Sequence, residues 1–446
     1  MQKETSKLLK ETYCYTRLDC GLPLFFIPKR QFHKKMFILV TDYGSIDLEF
    51  MPSGEQNFIK VPAGVAHFLE HELFKKKDYD ISERFARSGA SYNASTGHTS
   101  TAYFFTCADN FRENVKTLLQ LVFDPYFTEE NVAREKLIIE QELKMYDDMP
   151  ESKMMRTLME NLYQNHPIRV DIGGTVDSIK QITPAILRQC YGTFYHPANM
   201  VGVIAGDVDF SIVQAELNNY FEQPETKSLF NPMGSGQKEK HKTILPPVVI
   251  KRKTISEPAA IKQFSSRLKI PVARPQILIG YKEFNTGLEG LSLVQQNITT
   301  GIMLDLLLGS GSHLYNRLYE EGLVDDHFNF SYSGHQTYGV TIMGGETDQP
   351  LKLHERILGG LKKNRKDGLK KRDLLRIKRK VVGHYVHAFD SPESITGLFS
   401  GCYFNRVAVF ELIKYLKDVS AKEINKRMET HLDEKYHAIS VLEPAH

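Results

Sequence analysis

Residues 64–77 read GVAHFLEHELFKKK, a helical stretch with almost no polar side. Val65, Phe68, Leu69, Leu73 and Phe74 surround it, so a chain that forms this helix must bury it. Pro62 near its start and Lys75, Lys76 and Lys77 at its end suit the two ends of a helix dipole. Yet His67, Glu70 and His71 lie in its middle. His67 and His71 are i, i+4 and leave the helix on one side, with Glu70 beside them. A buried charge without a partner is costly, so the trio calls for one.

A divalent metal supplies it. Two neutral imidazoles bind zinc, and an adjacent unligated carboxylate can serve as general base. The pattern H-x-x-E-H is the inverzincin signature, although so short a match also arises by chance. A third ligand is offered by TEENVAREKLIIEQELKMYDD, residues 128–148. Val132, Glu135, Ile139, Glu142 and Tyr146 recur at i+3 and i+4, the inward stripe of a helix. Glu135 and Glu142 therefore take positions the pattern reserves for apolar groups. Glu142 is the expected third ligand, with Glu135 next in line. Glu129, Glu130 and Glu140 lie off the stripe and read as ordinary surface glutamates.

Around these helices the chain alternates strand and helix signals. KKMFILVTDYGSID reads as a strand, and SGASYNASTGHTSTAYFFTCA as a loop followed by a strand. YHPANMVGVIAGDVD contains a buried strand. Composition shifts at Gln223 to a stretch rich in Pro, Gly and Lys, the mark of a linker. Beyond it the order recurs, from QILIGYKE through GSGSHLYNRLYEEG, FNFSYSG and YGVTIMGGET to HAISVLE. The expectation is an α+β chain of two tandem domains, each a sheet with helices packed on one face. Residues 1–225 form the first, 226–250 the linker and 251–446 the second.

Composition excludes rather than identifies. The chain is 41% hydrophobic and 25% charged, with a net charge of +3, too small to argue for nucleic acid or an anionic membrane as partner. No run approaches the roughly 18 apolar residues of a membrane span. The N-terminus has no apolar signal-peptide core. Five cysteines without a C-x-x-C suggest neither a disulfide framework nor a thiolate metal site. A cytoplasmic protein is expected.

HFLEH in a helix, then GASYNASTGHTSTAYFF, then a helix with glutamates seven apart, and later YHPANM, together resemble the pitrilysin family. This family includes insulin-degrading enzyme and the mitochondrial processing peptidase, and the likeness is strongest to its small bacterial members of the YmfH type. It runs over most of the chain, most clearly from 60 to 207. The resemblance implies a zinc endopeptidase with His67, His71 and Glu142 as Zn2+ ligands, Glu70 as general base and Glu135 supporting the ligands and needed for activity. It also implies that Asn93, Ala94 and Ser95 belong to an edge strand that binds extended peptide by strand addition. Read from residues alone, the same segment is a turn followed by an ordinary edge strand, with Asn favoured for its backbone tolerance. His98 reads as structural or exposed, not as a ligand.

Family members enclose short or unfolded peptides between two clam-shell halves, and a chain of this length would supply one half. The resemblance therefore implies a homodimer or a heterodimer. In active members the second half carries an Arg and a Tyr seven residues apart that hold the substrate carbonyl. Here the matching stretch is LYEEGLVDD, residues 318–326, with Tyr319 in the Arg position and Asp325 near the Tyr position. That departure implies a partner subunit carrying the Arg-Tyr pair. The alternatives are a non-catalytic structural subunit and a zinc hydrolase acting on non-peptide substrates.

Overall fold

The computed structural model describes residues 1–52, 54–223, 226, 250–368 and 371–445. Between 227 and 249 the expected linker lies outside the described residues. The chain opens with strands β1 (Gln2–Ser6), β2 (Glu11–Arg17), β3 (Pro23–Pro28) and β4 (Lys35–Thr41), then a short pair β5 (Glu49–Phe50) and β6 (Ile59–Lys60). Helices α1 (Val65–Leu73) and α2 (Ser82–Arg87) precede the hairpin β7 (Ser91–Thr96) and β8 (Thr101–Cys107). There follow α3 (Phe111–Phe123), α4 (Glu129–Asp148), α5 (Pro150–Leu162), α6 (Val176–Lys180), α7 (Pro184–Phe194), β9 (Met200–Gly206) and α8 (Phe210–Glu222).

The later stretch holds β10 (Ser265–Ile270), β11 (Gln276–Lys282), α9 (Gly290–Leu308), α10 (His313–Glu320), β12 (Asn329–Gly334) and β13 (Gly339–Glu346). It ends with α11 (Pro350–Asp367), α12 (Lys371–His387), α13 (Pro392–Phe404), α14 (Leu412–Asp418), α15 (Ala421–His431) and β14 (His437–Pro444). Among the described residues no helix is long and apolar enough to cross a membrane. All five cysteines are free.

The chain forms two compact units that are discontinuous in sequence. One comprises 1–143, 171–253 and 387–409, the other 144–170, 254–386 and 410–446. The exchange has a packing cause. α5 packs in the second unit, where Asn161 Nδ2 donates to Ile439 O at 3.0 Å and Tyr163 OH donates to Gly339 O at 2.7 Å. Gly280 makes room for it, since a Cβ there would meet Leu162 Cδ1 at 2.7 Å. Conversely α13 packs in the first unit, with Phe399 5.6 Å from Phe25 between ring centres.

The first unit's sheet runs β1-β2-β3-β9-β4-β8-β7 and the second's β10-β14-β11-β13-β12. Strands β3 and β9 are parallel, as are β10 and β14, and every other neighbour is antiparallel. The five strands from β3 to β7 thus repeat in order and direction as β10 to β12. β4 and β9 sit centrally and read MFILVT and MVGVIAG; every one of those residues is buried, as apolar runs in a covered sheet must be. β7 closes the sheet on one side, with no strand beyond it among the described residues.

Residues 250–253 rejoin the first unit. Lys251 O accepts from Met51 N at 2.9 Å, and Arg252 Nε reaches the buried carboxylate of Asp47 at 2.5 Å. Burial pushes Asp47 up, against the opposing pull of Arg252.

Candidate metal centre

α1 begins at Gly64, whose φ of 87° is a left-handed conformation. A Cβ there would lie 2.2 Å from Gly173 O, so the loop before α6 closes directly onto the start of α1. That packing fixes the helix that carries His67, Glu70 and His71. α4 lies alongside and presents Val132, Glu135, Ile139 and Leu143 to the core.

His67 Nε2 and His71 Nε2 stand 3.9 and 3.7 Å from Glu142 Oε2. Ligand atoms of the three residues all lie within 4.8 Å of one another, the one such cluster of three among the described residues. These separations are too long for hydrogen bonds. They approach the spacing of ~3.4 Å expected for donors placed tetrahedrally about zinc at about 2.1 Å. Glu135 Oε1 accepts from His71 Nδ1 at 2.8 Å, which fixes the tautomer and leaves Nε2 free to face Glu142. His67 Nδ1 is buried without a hydrogen-bond partner.

Charge states follow from these contacts. Burial and the neighbouring His71 push His67 down to about 4, so it is a neutral imidazole at neutral pH. Burial alone would lower His71 as well, but the hydrogen bond and charge of Glu135, with Glu70 and Glu142, carry it above its ordinary value. Glu70 is buried, and its carboxyl is raised by that burial and by Glu142, against the hydrogen bond from Thr96 and the attraction of His71. A donor set of two imidazoles and one carboxylate, with a second carboxylate behind one ring, fits a divalent zinc ion.

Two residues near the cluster escaped the sequence reading. Thr96 Oγ1 donates to Glu70 Oε2, and so holds one carboxyl oxygen. Its signal was the period of two in β7, which puts Thr96 on the face of Ala94. Glu72 is fully buried with both carboxyl oxygens unpartnered. Burial and the nearby Glu135 raise it to about 7. It continues the Val65–Leu69 side of α1, a stripe on which a carboxylate should have stood out.

Of the remaining expected residues, Asn93 and Ser95 are exposed on β7 and Ala94 is buried. Asn93 Oδ1 accepts from Ala94 N at 2.9 Å. His98 Nδ1 lies 2.9 Å from Ser45 Oγ and is not part of the cluster. Glu129 and Glu130 are exposed and Glu140 half-buried, none within the cluster.

The second unit carries a different set at the matching place. Glu70 reaches Thr96 at the end of the β7–β8 hairpin; Asn297 Nδ2 reaches Gly334 O, at 3.1 Å, at the end of the β12–β13 hairpin. Among the described residues no cluster of three possible metal donors lies in the second unit. Tyr319, in the position of the expected Arg, is exposed and stacks on Tyr315 with ring centres 6.2 Å apart. Asp325 pairs with Arg274 at 3.5 Å.

Comparison with known proteins agrees with this architecture. Residues 59–176 match the family model described as Insulinase (Peptidase family M16), and 181–381 match the Peptidase M16 inactive domain. An uncharacterised zinc protease of Bacillus subtilis, YmfH, is 36% identical over 423 residues, covering 93% of each chain. A second, YmxG, is 27% identical over 74% of this chain and 76% of its own. The crystal structure of an M16-like peptidase from Alicyclobacillus acidocaldarius superposes with a TM-score of 0.89 at 32% identity, covering 97% of this chain and 98% of that one. Pitrilysin shares the fold with a TM-score of 0.68 at 18% identity, this chain spanning 46% of its length. The chain is a member of peptidase family M16, with the family's tandem pair of α+β domains.

Proposed function

We propose that the chain is a zinc-dependent endopeptidase that cleaves short or unfolded peptides in the cytoplasm. The carrying observation is the convergence of His67 Nε2, His71 Nε2 and Glu142 Oε2 beside a buried Glu70. His67, His71 and Glu142 would hold the ion. When bound, zinc supplies Lewis acidity, polarising the scissile carbonyl and making a water easy to deprotonate near neutral pH. Thr96 holds Glu70 Oε2, so Oε1 is the atom that takes the proton as the water oxygen bonds to the carbonyl carbon. Glu70 then delivers that proton to the amide nitrogen as the C–N bond breaks. Glu135 keeps His71 oriented through Nδ1. The outer edge of β7, with Asn93, Ala94 and Ser95, would pair with an extended peptide backbone and bring its carbonyl to Glu70.

Residues 318–326 read LYEEGLVDD. Nothing there supplies the Arg-Tyr pair, so we read the chain as the zinc-bearing member of a dimer whose other subunit supports the oxyanion. The test is Glu70→Gln. The amide keeps the shape and cannot accept a proton at neutral pH. Metal analysis should give one zinc per chain for both proteins, and peptide cleavage only for the parent. Near-parental cleavage by metal-loaded Glu70→Gln would remove Glu70 from the reaction; a parent without zinc would remove the peptidase reading itself.

A further inference from the structure

The small net charge hides a strong asymmetry. Residues 362–380, KKNRKDGLKKRDLLRIKRK, hold eleven Lys or Arg and two Asp, a net of +9. The whole chain is +3, so the rest sums to 3 − 9 = −6. Nothing in the metal centre uses this segment. Some of its cations are spent internally: Lys380 pairs with Asp305 at 2.8 Å and Lys362 with Glu434 at 2.9 Å. Lys363, Lys366, Lys371, Arg372, Arg376 and Arg379 have no carboxylate partner among the described residues, and all six are exposed.

Arg372, Arg376 and Arg379 are spaced i, i+4 and i+7 on α12, one exposed face. Such a row is ~10 Å long, the reach of three or four residues of extended peptide. Its first two arginines, with His313 and Asp373, line a cavity of about 260 Å³. Arg376 is seated there deliberately. Its Nη2 donates to Gly311 O at 3.1 Å, and a Cβ on Gly311 would fall 2.5 Å from its Nη1. The glycine-rich turn GSGS ahead of α10 thus gives the guanidinium its place.

We propose that this arginine face binds acidic peptide segments, with the cavity taking a carboxylate between Arg372 and Arg376. The proposal goes beyond the peptidase reading: it assigns a docking surface for peptides rich in Asp and Glu. Guanidinium groups pair with carboxylates through two parallel hydrogen bonds. Asp373 in the same cavity offers a hydrogen-bond acceptor, which a phosphodiester backbone, having no N–H donors, does not use. It accepts the N–H groups that a peptide brings beside its carboxylates.

The experiment measures equilibrium binding to full-length Glu70→Gln protein, which leaves the probe uncut. The probes are a capped, labelled Glu/Ser peptide, a Lys/Ser and a Gln/Ser peptide of equal length, an oligo-dT strand and vesicles containing phosphatidylglycerol. The acidic peptide should bind best, more weakly as salt rises. Arg372→Gln and Arg376→Gln should each weaken it on the order of tenfold, as expected for loss of a charge-assisted hydrogen bond. Unchanged melting and metal content in these variants excludes misfolding as the cause. Equal affinity for acidic and neutral peptides, or undiminished binding by the arginine variants, overturns the proposal. So does tighter binding of oligo-dT or vesicles than of the acidic peptide. Acidic-peptide binding by a chain that cleaves nothing would sink the peptidase reading and leave this surface standing.

Discussion

One helix addresses both nitrogens of a single histidine: Glu135 Oε1 lies 2.8 Å from His71 Nδ1, and Glu142 Oε2 lies 3.7 Å from His71 Nε2. Seven residues of α4 separate the two carboxylates, two turns of one face. The first carboxylate is buried and hydrogen-bonded; the second is half-buried and bonded to neither imidazole. Their roles should separate under mutation.

Glu135→Gln keeps a hydrogen-bond acceptor for His71 and removes the charge. Loss of such an outer partner weakens metal affinity by about 10–100-fold. Zinc competition against a fluorescent chelator should show this drop with stoichiometry still at one. Unaltered affinity would reduce Glu135 to a packing residue.

Glu142→Gln should cost more metal affinity than Glu135→Gln, and far more than Glu140→Gln. An amide oxygen is a much poorer zinc ligand than a carboxylate, while Glu140 lies outside the cluster on the same helix. The three variants share one helix and similar propensity, so differences in zinc retention after dialysis report position. Equal retention by the Glu142 and Glu140 variants would send the search for a third ligand back to Glu135.

How far these arrangements were readable depends on what local sequence encodes. The inward stripe of α4 and the i, i+4 histidines of α1 are periodic signals; Val132, Glu135 and Ile139 are buried as the stripe predicts, while Leu143 completes it and Glu142 and Tyr146 are half-buried. Residues 91–96 read as a turn leading into an edge strand; they form the edge strand β7, with one face exposed. β3 shows as the apolar run PLFFIP, whereas β1, QKETS, is polar and largely exposed and carries no alternation to mark it as a strand. The exchange of α5 and α13 between units is a long-range choice. It depends on contacts such as Asn161 with Ile439, which no local pattern reports. The Thr96–Glu70 bond is hidden for the same reason: 26 residues separate the partners.

The second unit should be acid-sensitive through Glu283. It is buried, with Arg427 Nη2 at 2.5 Å and His431 Nδ1 at 3.2 Å from Oε2. Burial raises it, but His431 and Arg427 overcome that and hold it at about 2, below the ordinary 4.5. A depressed carboxyl contributes stability that is present above pH 4.5 and is lost as pH falls toward 2. The shift corresponds to ~3 kcal/mol at most. Urea unfolding from pH 6 to pH 2.5 should therefore fall less steeply in Glu283→Gln than in the parent, although the variant starts lower at pH 6. Parallel pH profiles for the two proteins would show that Glu283 does not titrate in this window.

The isolated chain should cleave peptides weakly and gain activity with a second subunit. Zinc donors and Glu70 are assembled within the first unit, so water activation needs nothing further from outside. The carbonyl oxygen becomes an anion in the transition state, and at the family's Arg and Tyr positions this chain has an exposed Tyr319 and an Asp325 engaged by Arg274. A carboxylate near a developing oxyanion would repel it. Absence of one well-placed donor costs about 10²–10³ in kcat. Cleavage of a mixed peptide library should therefore rise by about that factor when a related subunit bearing the Arg-Tyr pair is added. The gain should appear in kcat, because all three candidate zinc donors belong to this chain. Fast turnover by the chain alone, unchanged by any such subunit, would refute this reading. Arg317→Ala and Tyr319→Phe would then identify which group of residues 318–326 and its neighbour meets the oxyanion instead.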